Sequence, residues 1–118
     1  RIIRLDNISN EELKWLYSHA SLFVTTSLHE GFGYTPIEAA ICKCPVISSK
    51  CEALPEVTLG MVSYYEPVTD ENALSIKIKE IIDKPVQHDR LNNISNTLIE
   101  KYSPHKQWAE IFKILINR

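Results

Sequence analysis

The stretch "LFVTTSLHEGFGYTPIEAAICKCPVISS", Leu22 to Ser49, decides the fold. Its first five residues, Leu22 to Thr26, are a short hydrophobic run of the kind that forms a strand buried on both faces of a parallel sheet. "PVISS", Pro45 to Ser49, is a second such run. Between them, Pro36 to Cys42 reads as a helix. Strand, helix, strand is the βαβ unit, which places the intervening junction at the carboxyl edge of the sheet, where ligands bind in open α/β folds.

Working outward, Arg1 to Leu5 is a β-type run expected to enter a core as a strand. "SNEE", Ser9 to Glu12, is a capping box that starts a helix near Asn10, and Leu13, Leu16, Tyr17 and Ala20 give that helix one apolar face. Downstream, "ALPEVT" suggests one turn of helix, Gly60 a break, and Met61 to Tyr65 a further strand closed by Pro67. The last third turns helical. Leu74, Ile78, Ile81 and Ile82 form one stripe, and Leu91, Ile94 and Leu98 a second. Trp108, Ile111, Phe112 and Leu115 form a third, in a helix entered through Ser103 and Pro104. The expected architecture is α/β: a Rossmann-like parallel sheet with flanking helices, residues 1–118 forming one domain.

The 118 residues are 44% hydrophobic and 24% charged, the balance of an ordinary folded domain. A net charge of −2 supplies no broad basic field, so nucleic acid is not an expected partner and any anion must be held locally. No apolar run approaches the roughly 20 residues that span a bilayer, and a cytoplasmic location is expected. Cys42, Cys44 and Cys51 are an odd number with no second Cys/His pair at zinc spacing, and they read as reduced thiols in or near a core. Without an initial methionine and opening on a strand-like run, the chain reads as a piece of a longer protein.

The junction carries the chemistry. Gly31 and Gly33 lack a Cβ and let a ligand approach the backbone amides, and a helix start nearby offers unpaired N–H groups and the positive end of its dipole to a phosphate. Glu30 and Glu38, with seven residues between them, would be repelled by phosphate and suit paired hydroxyls. Hydroxyls on both sides of a diphosphate describe a nucleotide sugar. Two plainer readings stand beside this one. Thr35 to Glu38 is itself a capping-box pattern, so Glu38 caps or binds ribose or does both; Glu30 is a donor contact or a solvated loop carboxylate. Phe32 reads as a core anchor for the loop ahead of a stacking residue, and His29 as a loop side chain ahead of a contact to ligand or a domain partner.

With those residues in view, "SLHEGFGYTPIEAAICKCPVISS" resembles the Glu, seven residues, Glu segment of retaining glycosyltransferases of the GT-B fold, group 1, family 4. The resemblance extends through "LYSHASLFVTTS", "ALPEV" and "YYEP" and covers nearly the whole chain. It implies the later part of the C-terminal, donor-binding lobe, the C-terminal half of a GT-B fold, with the N-terminal acceptor lobe as its missing partner. The donor would be a nucleotide-diphosphate sugar, GDP or UDP sugar first. Glu30 would contact hydroxyls of the transferred sugar and is the catalytic candidate. Phe32, Gly33 and Tyr34, with Gly31, would present backbone to sugar and diphosphate. Thr35 would sit at the phosphate-facing helix start, and Glu38 would hold the ribose. Transfer would proceed with retention and without a metal or other cofactor, using helix dipole and basic side chains.

In such enzymes the basic pair that steadies the leaving diphosphate lies earlier in the lobe, so the isolated piece is expected to be inactive. Peripheral membrane association belongs to the parent's expected repertoire. The alternative reading is a non-catalytic nucleotide-binding or scaffold module of the same fold; a nucleotide-sugar epimerase fits the Glu30 to Glu38 pattern poorly. Three departures stand out. Thr26 replaces a frequent proline, Lys43 stands where glycine usually ends the helix, and "KCEALPE" lacks paired glycines ahead of Glu56, a residue with either a helix-start or a donor role.

Overall fold

A computed structural model describes residues 1–29, 34–104 and 115. The first helix, α1 (Asn10–His19), begins where the capping box placed it: Ser9 Oγ accepts from the Glu12 amide at 3.1 Å and the Ser9 amide donates to Glu12 Oε1 at 2.9 Å. Then follow β1 (Phe23–Thr25), α2 (Tyr34–Ile41), β2 (Val46–Ser49), the single turn α3 (Leu54–Val57), β3 (Ser63–Tyr65), α4 (Glu71–Asp83) and α5 (His88–Tyr102). The three strands form one parallel sheet in the order β1-β2-β3, with Phe23 opposite Val46 and Ile47 opposite Ser63. Helices flank it, as the α/β alternation of the sequence requires.

Burial follows position in this sheet. All four residues of the central strand β2 are buried, whereas β1 is half-buried along its length because it lies at an edge. The expectation that Leu22–Thr26 is covered on both faces is therefore corrected, and the strand is shorter. Arg1–Leu5 is a second correction. No described strand pairs with it, and Ile2, Ile3 and Leu5 are 97%, 66% and 54% exposed. Isoleucine favours a pleated surface, but a strand exists only where a neighbour supplies the ladder.

The core lies between α2 and its neighbours. Tyr17 of α1, Ile37, Ala39, Ala40 and Ile41 of α2, Val46 of β2 and Ile94, Leu98 and Tyr102 of α5 form one apolar cluster, to which Leu115 also belongs. The α5 stripe expected from sequence is thus buried. That of α4 is only partly so: the helix packs on the edge strand β3, no residue of it is buried, and Ile82 is 65% exposed. The third stripe, Trp108, Ile111 and Phe112, lies outside the described residues; Leu115 is described and buried.

Two polar ties fix α2 from its far end. Ser95 Oγ, buried on α5, donates to the Ile41 carbonyl at 2.7 Å, and the chain leaves the helix through Lys43 at φ 66°. The Lys43 amide donates to the Ala40 carbonyl and the Cys44 amide to the Ala39 carbonyl, both at 3.0 Å, which is the Schellman pattern. Lys43 therefore takes the left-handed conformation that glycine takes at no steric cost.

Candidate functional site

In a parallel sheet all strands end at one edge, and here that edge gathers the exits of β1, β2 and β3 with the start of α2. The chain leaving β1 is held by β2: Ser49 Oγ donates to the Ser27 carbonyl at 2.7 Å, and Cys51 Sγ reaches the same oxygen at 3.0 Å. Buried Ser49 and Cys51 so fix the point from which the loop departs. Two exposed contacts cross the edge, His29 Nδ1 to Glu52 Oε1 at 2.9 Å and the Lys50–Glu66 ion pair at 3.4 Å. Solvent screens the ion pair, and such pairs contribute about 0–1 kcal/mol. His29 is a loop side chain, as its sequence setting suggested.

Of the residues singled out for donor binding, Glu30, Gly31, Phe32 and Gly33 lie outside the described residues. Tyr34, Thr35 and Glu38 are described, all on α2. The helix begins at Tyr34, two residues ahead of the expected Pro36, so Thr35 is its second residue rather than its cap. Glu38 consequently stands past the first turn, and the expected capping box between Thr35 and Glu38 is corrected. Pro36 still fits, because N–H groups of a first turn have no intrahelical partner to lose. The spacing of Tyr34, Thr35 and Glu38 places them along one side of α2. Tyr34 and Thr35 are exposed; Ile37, Ala40 and Ile41 face the core.

Glu38 is half-buried, and its Oε2 accepts a hydrogen bond from the hydroxyl of Tyr17 on α1 at 3.4 Å. Desolvation raises the Glu38 pKa above the ordinary carboxylate value, and the Tyr17 hydrogen bond opposes that rise without cancelling it. Tyr17 responds in kind. Burial, then the neighbouring Glu38 charge, push its phenol well above the usual tyrosine range, so it keeps its proton and remains a donor. The Tyr17 ring is fixed edge-on against Phe23, with centroids 5.8 Å apart.

Sequence reasoning placed Tyr17 on the apolar face of α1 but did not foresee this partner. Nor did it foresee the clamp on Ser27; serine and cysteine at the end of a buried strand were the only signal. The thiols are as expected, Cys44 and Cys51 buried and Cys42 half-buried. Burial raises the Cys44 pKa to about 11. Glu56 is an exposed residue of α3. Among the described residues, no cluster of three or more His, Cys, Asp or Glu side chains is placed to hold a metal ion, and no helix is long and apolar enough to cross a membrane.

A parallel sheet with flanking helices, whose carboxyl edge meets the start of a carboxylate-bearing helix, is a Rossmann-like α/β fold. The chain belongs to the glycosyl transferases group 1 family, whose model matches residues 1–100. It is 39% identical over 93 residues to the O-antigen chain mannosyltransferase RfbU of Salmonella typhimurium strain LT2, an alignment covering 79% of this chain and 26% of that protein. It is 38% identical over 74 residues to O-antigen chain mannosyltransferase B of Escherichia coli, covering 63% of this chain and 19% of that one. An MMP alpha-(1->4)-mannosyltransferase of Mycolicibacterium hassiacum is 31% identical over 88 residues, with 73% and 21% covered. The chain thus spans about a quarter or less of the length of these curated relatives. No solved structure gives a significant match.

Proposed function

We propose that this chain is the later part of the donor-binding lobe of a retaining GT-B glycosyltransferase, family 4, whose donor is a nucleotide-diphosphate sugar, GDP-mannose first. The observation that carries the reading is the carboxylate on α2, a helix that starts at the carboxyl edge of the sheet, in a chain of this family. Several relatives bear mannosyltransferase names, which supports a mannosyl donor over other sugars.

On this reading the residues divide the labour by charge. The α2 start, with Tyr34 and Thr35, faces the diphosphate with the positive end of the helix dipole, equivalent to about half an elementary charge. Glu38 accepts from the ribose hydroxyls. Glu30 accepts from hydroxyls of the transferred sugar, and backbone of Gly31, Phe32 and Gly33 lines the sugar and diphosphate. Negative charge on the leaving nucleotide grows as the glycosidic bond to phosphate breaks, so donors aimed at the phosphates act most strongly in the transition state. The acceptor is bound by the other lobe, and the reaction needs no metal in this scheme.

The test uses the full-length enzyme. Donor binding is followed by calorimetry with GDP-mannose, UDP-glucose and ADP-glucose, and turnover is measured for the wild type, Glu30→Ala and Glu38→Ala. Glu38→Ala is expected to weaken donor binding at least about tenfold, the loss of hydrogen bonds to a charged group, and Glu30→Ala to depress turnover. Unchanged binding and turnover in both variants would overturn the site.

A further inference from the structure

Tyr17 lies on a different helix from every residue assigned above, yet its hydroxyl meets one of them. The residue is 5% exposed and its ring is packed by the core, so the hydroxyl is delivered to Glu38 by tertiary structure rather than by a flexible side chain. A buried hydroxyl needs a partner, and the one it has is a carboxylate oxygen on α2, 21 residues away in sequence. Glu38 in turn is an awkward residue for a helix that is otherwise apolar here. A carboxylate half out of water costs stability, and groups kept in such settings concentrate at functional sites.

We propose that Tyr17 is a positioning residue of the donor site: its hydroxyl holds Oε2 of Glu38, fixing the carboxylate on α2 so that its remaining acceptor capacity is presented to the ribose hydroxyls of the donor. This rests on the reading of Glu38 given above. An ionised carboxylate has about four acceptor positions, so one hydrogen bond from tyrosine leaves room for two ligand hydroxyls. The phenol acts as an uncharged donor. It steadies the ionised carboxylate without adding a positive charge that would compete for the phosphates. At 3.4 Å the bond is long for a hydroxyl and a carboxylate, so it orients more than it stabilises, and donor binding is the event that would tighten it. The other titratable groups beside this pair are the Cys42 and Cys44 thiols, near the phenol.

The test is a double-mutant cycle in the full-length enzyme with GDP-mannose as the probe, combining Tyr17→Phe and Glu38→Ala, with circular dichroism confirming that each variant is folded. Tyr17→Phe keeps the ring and removes one oxygen. It should raise the donor KM about three- to tenfold with little change in kcat, the signature of a lost ground-state contact. It should also move the acidic limb of kcat/KM to higher pH, because the carboxylate loses a hydrogen bond that favours its charged form. In the Glu38→Ala background the same substitution should change nothing further. A donor KM within about twofold of wild type for Tyr17→Phe, with Glu38→Ala impaired, would overturn the role of Tyr17 and leave the site standing. A Tyr17→Phe defect that persists undiminished beside Glu38→Ala would overturn it too, by marking a general packing effect. An unimpaired Glu38→Ala would instead refute the site itself.

Discussion

Replacing Lys43 by glycine should make this protein more stable. Lys43 leaves α2 at φ 66°, a conformation in which the Cβ of an L-residue crowds the following carbonyl, at a cost of about 1–2 kcal/mol. Glycine escapes that crowding but loses more freedom on folding, which returns about 0.4–1 kcal/mol. The difference is a net gain of about 0.5–1 kcal/mol. The two Schellman hydrogen bonds use backbone atoms only and survive the change. Lys43 is exposed, so little packing is lost with its side chain. In a domain of this size the gain corresponds to a rise in Tm of about 2–5 °C. Urea unfolding should show a higher midpoint at unchanged slope, since the surface exposed on unfolding stays the same. Lys43→Ala is the control: it keeps the Cβ and should behave like wild type. A glycine variant no more stable than the alanine variant would refute the strain argument. So would an altered slope.

Two further outcomes test the core and the charge state. Leu98→Ala, at a fully buried position of α5 against α2, should cost about 2–5 kcal/mol by equilibrium unfolding, and a loss under about 1 kcal/mol would place Leu98 outside the core. Glu38→Gln should alter the pH dependence of stability. Because the folded pKa of Glu38 is raised, the folded state holds that proton more tightly than the unfolded chain. The wild type therefore loses stability as pH climbs from the ordinary carboxylate value through the folded one. The glutamine variant should match the wild type in acid and exceed it at neutral pH. A deficit that grows with pH would reverse the sign of that argument.

Local signals were legible in the sequence, and pairwise ones were not. Ser9 and Glu12 announced α1 because a capping box is complete within four residues, whereas the strained helix end at Lys43 was suggested only by the resemblance, in which glycine holds that place. The alternation from α1 to β3 followed from short hydrophobic runs separated by helical spacing, and the fold class with it. Arg1–Leu5 misled because its composition suits a strand while pairing depends on a neighbour that composition cannot reveal. Thr35 to Glu38 misled in another way: the pattern of a cap was present, but α2 had already begun at Tyr34. Seven residues of the candidate site were named from the motif and the resemblance, and of these Tyr34, Thr35 and Glu38 are among the described residues. The hydroxyl that meets Glu38 and the two groups that grip Ser27 come from other elements, and only the folded chain brings them near.

The hydrogen bond from Ser95 to the Ile41 carbonyl joins residues 54 apart. Closing a loop of that length costs entropy that grows only as the logarithm of its size, but it must be met before the contact gives anything back. The Schellman bonds at the end of α2 are local, whereas the tie from Ser95 forms only when α5 arrives. On the proposed reading of the site, a chain lacking α5 would lose the long-range tie on the helix that carries Glu38.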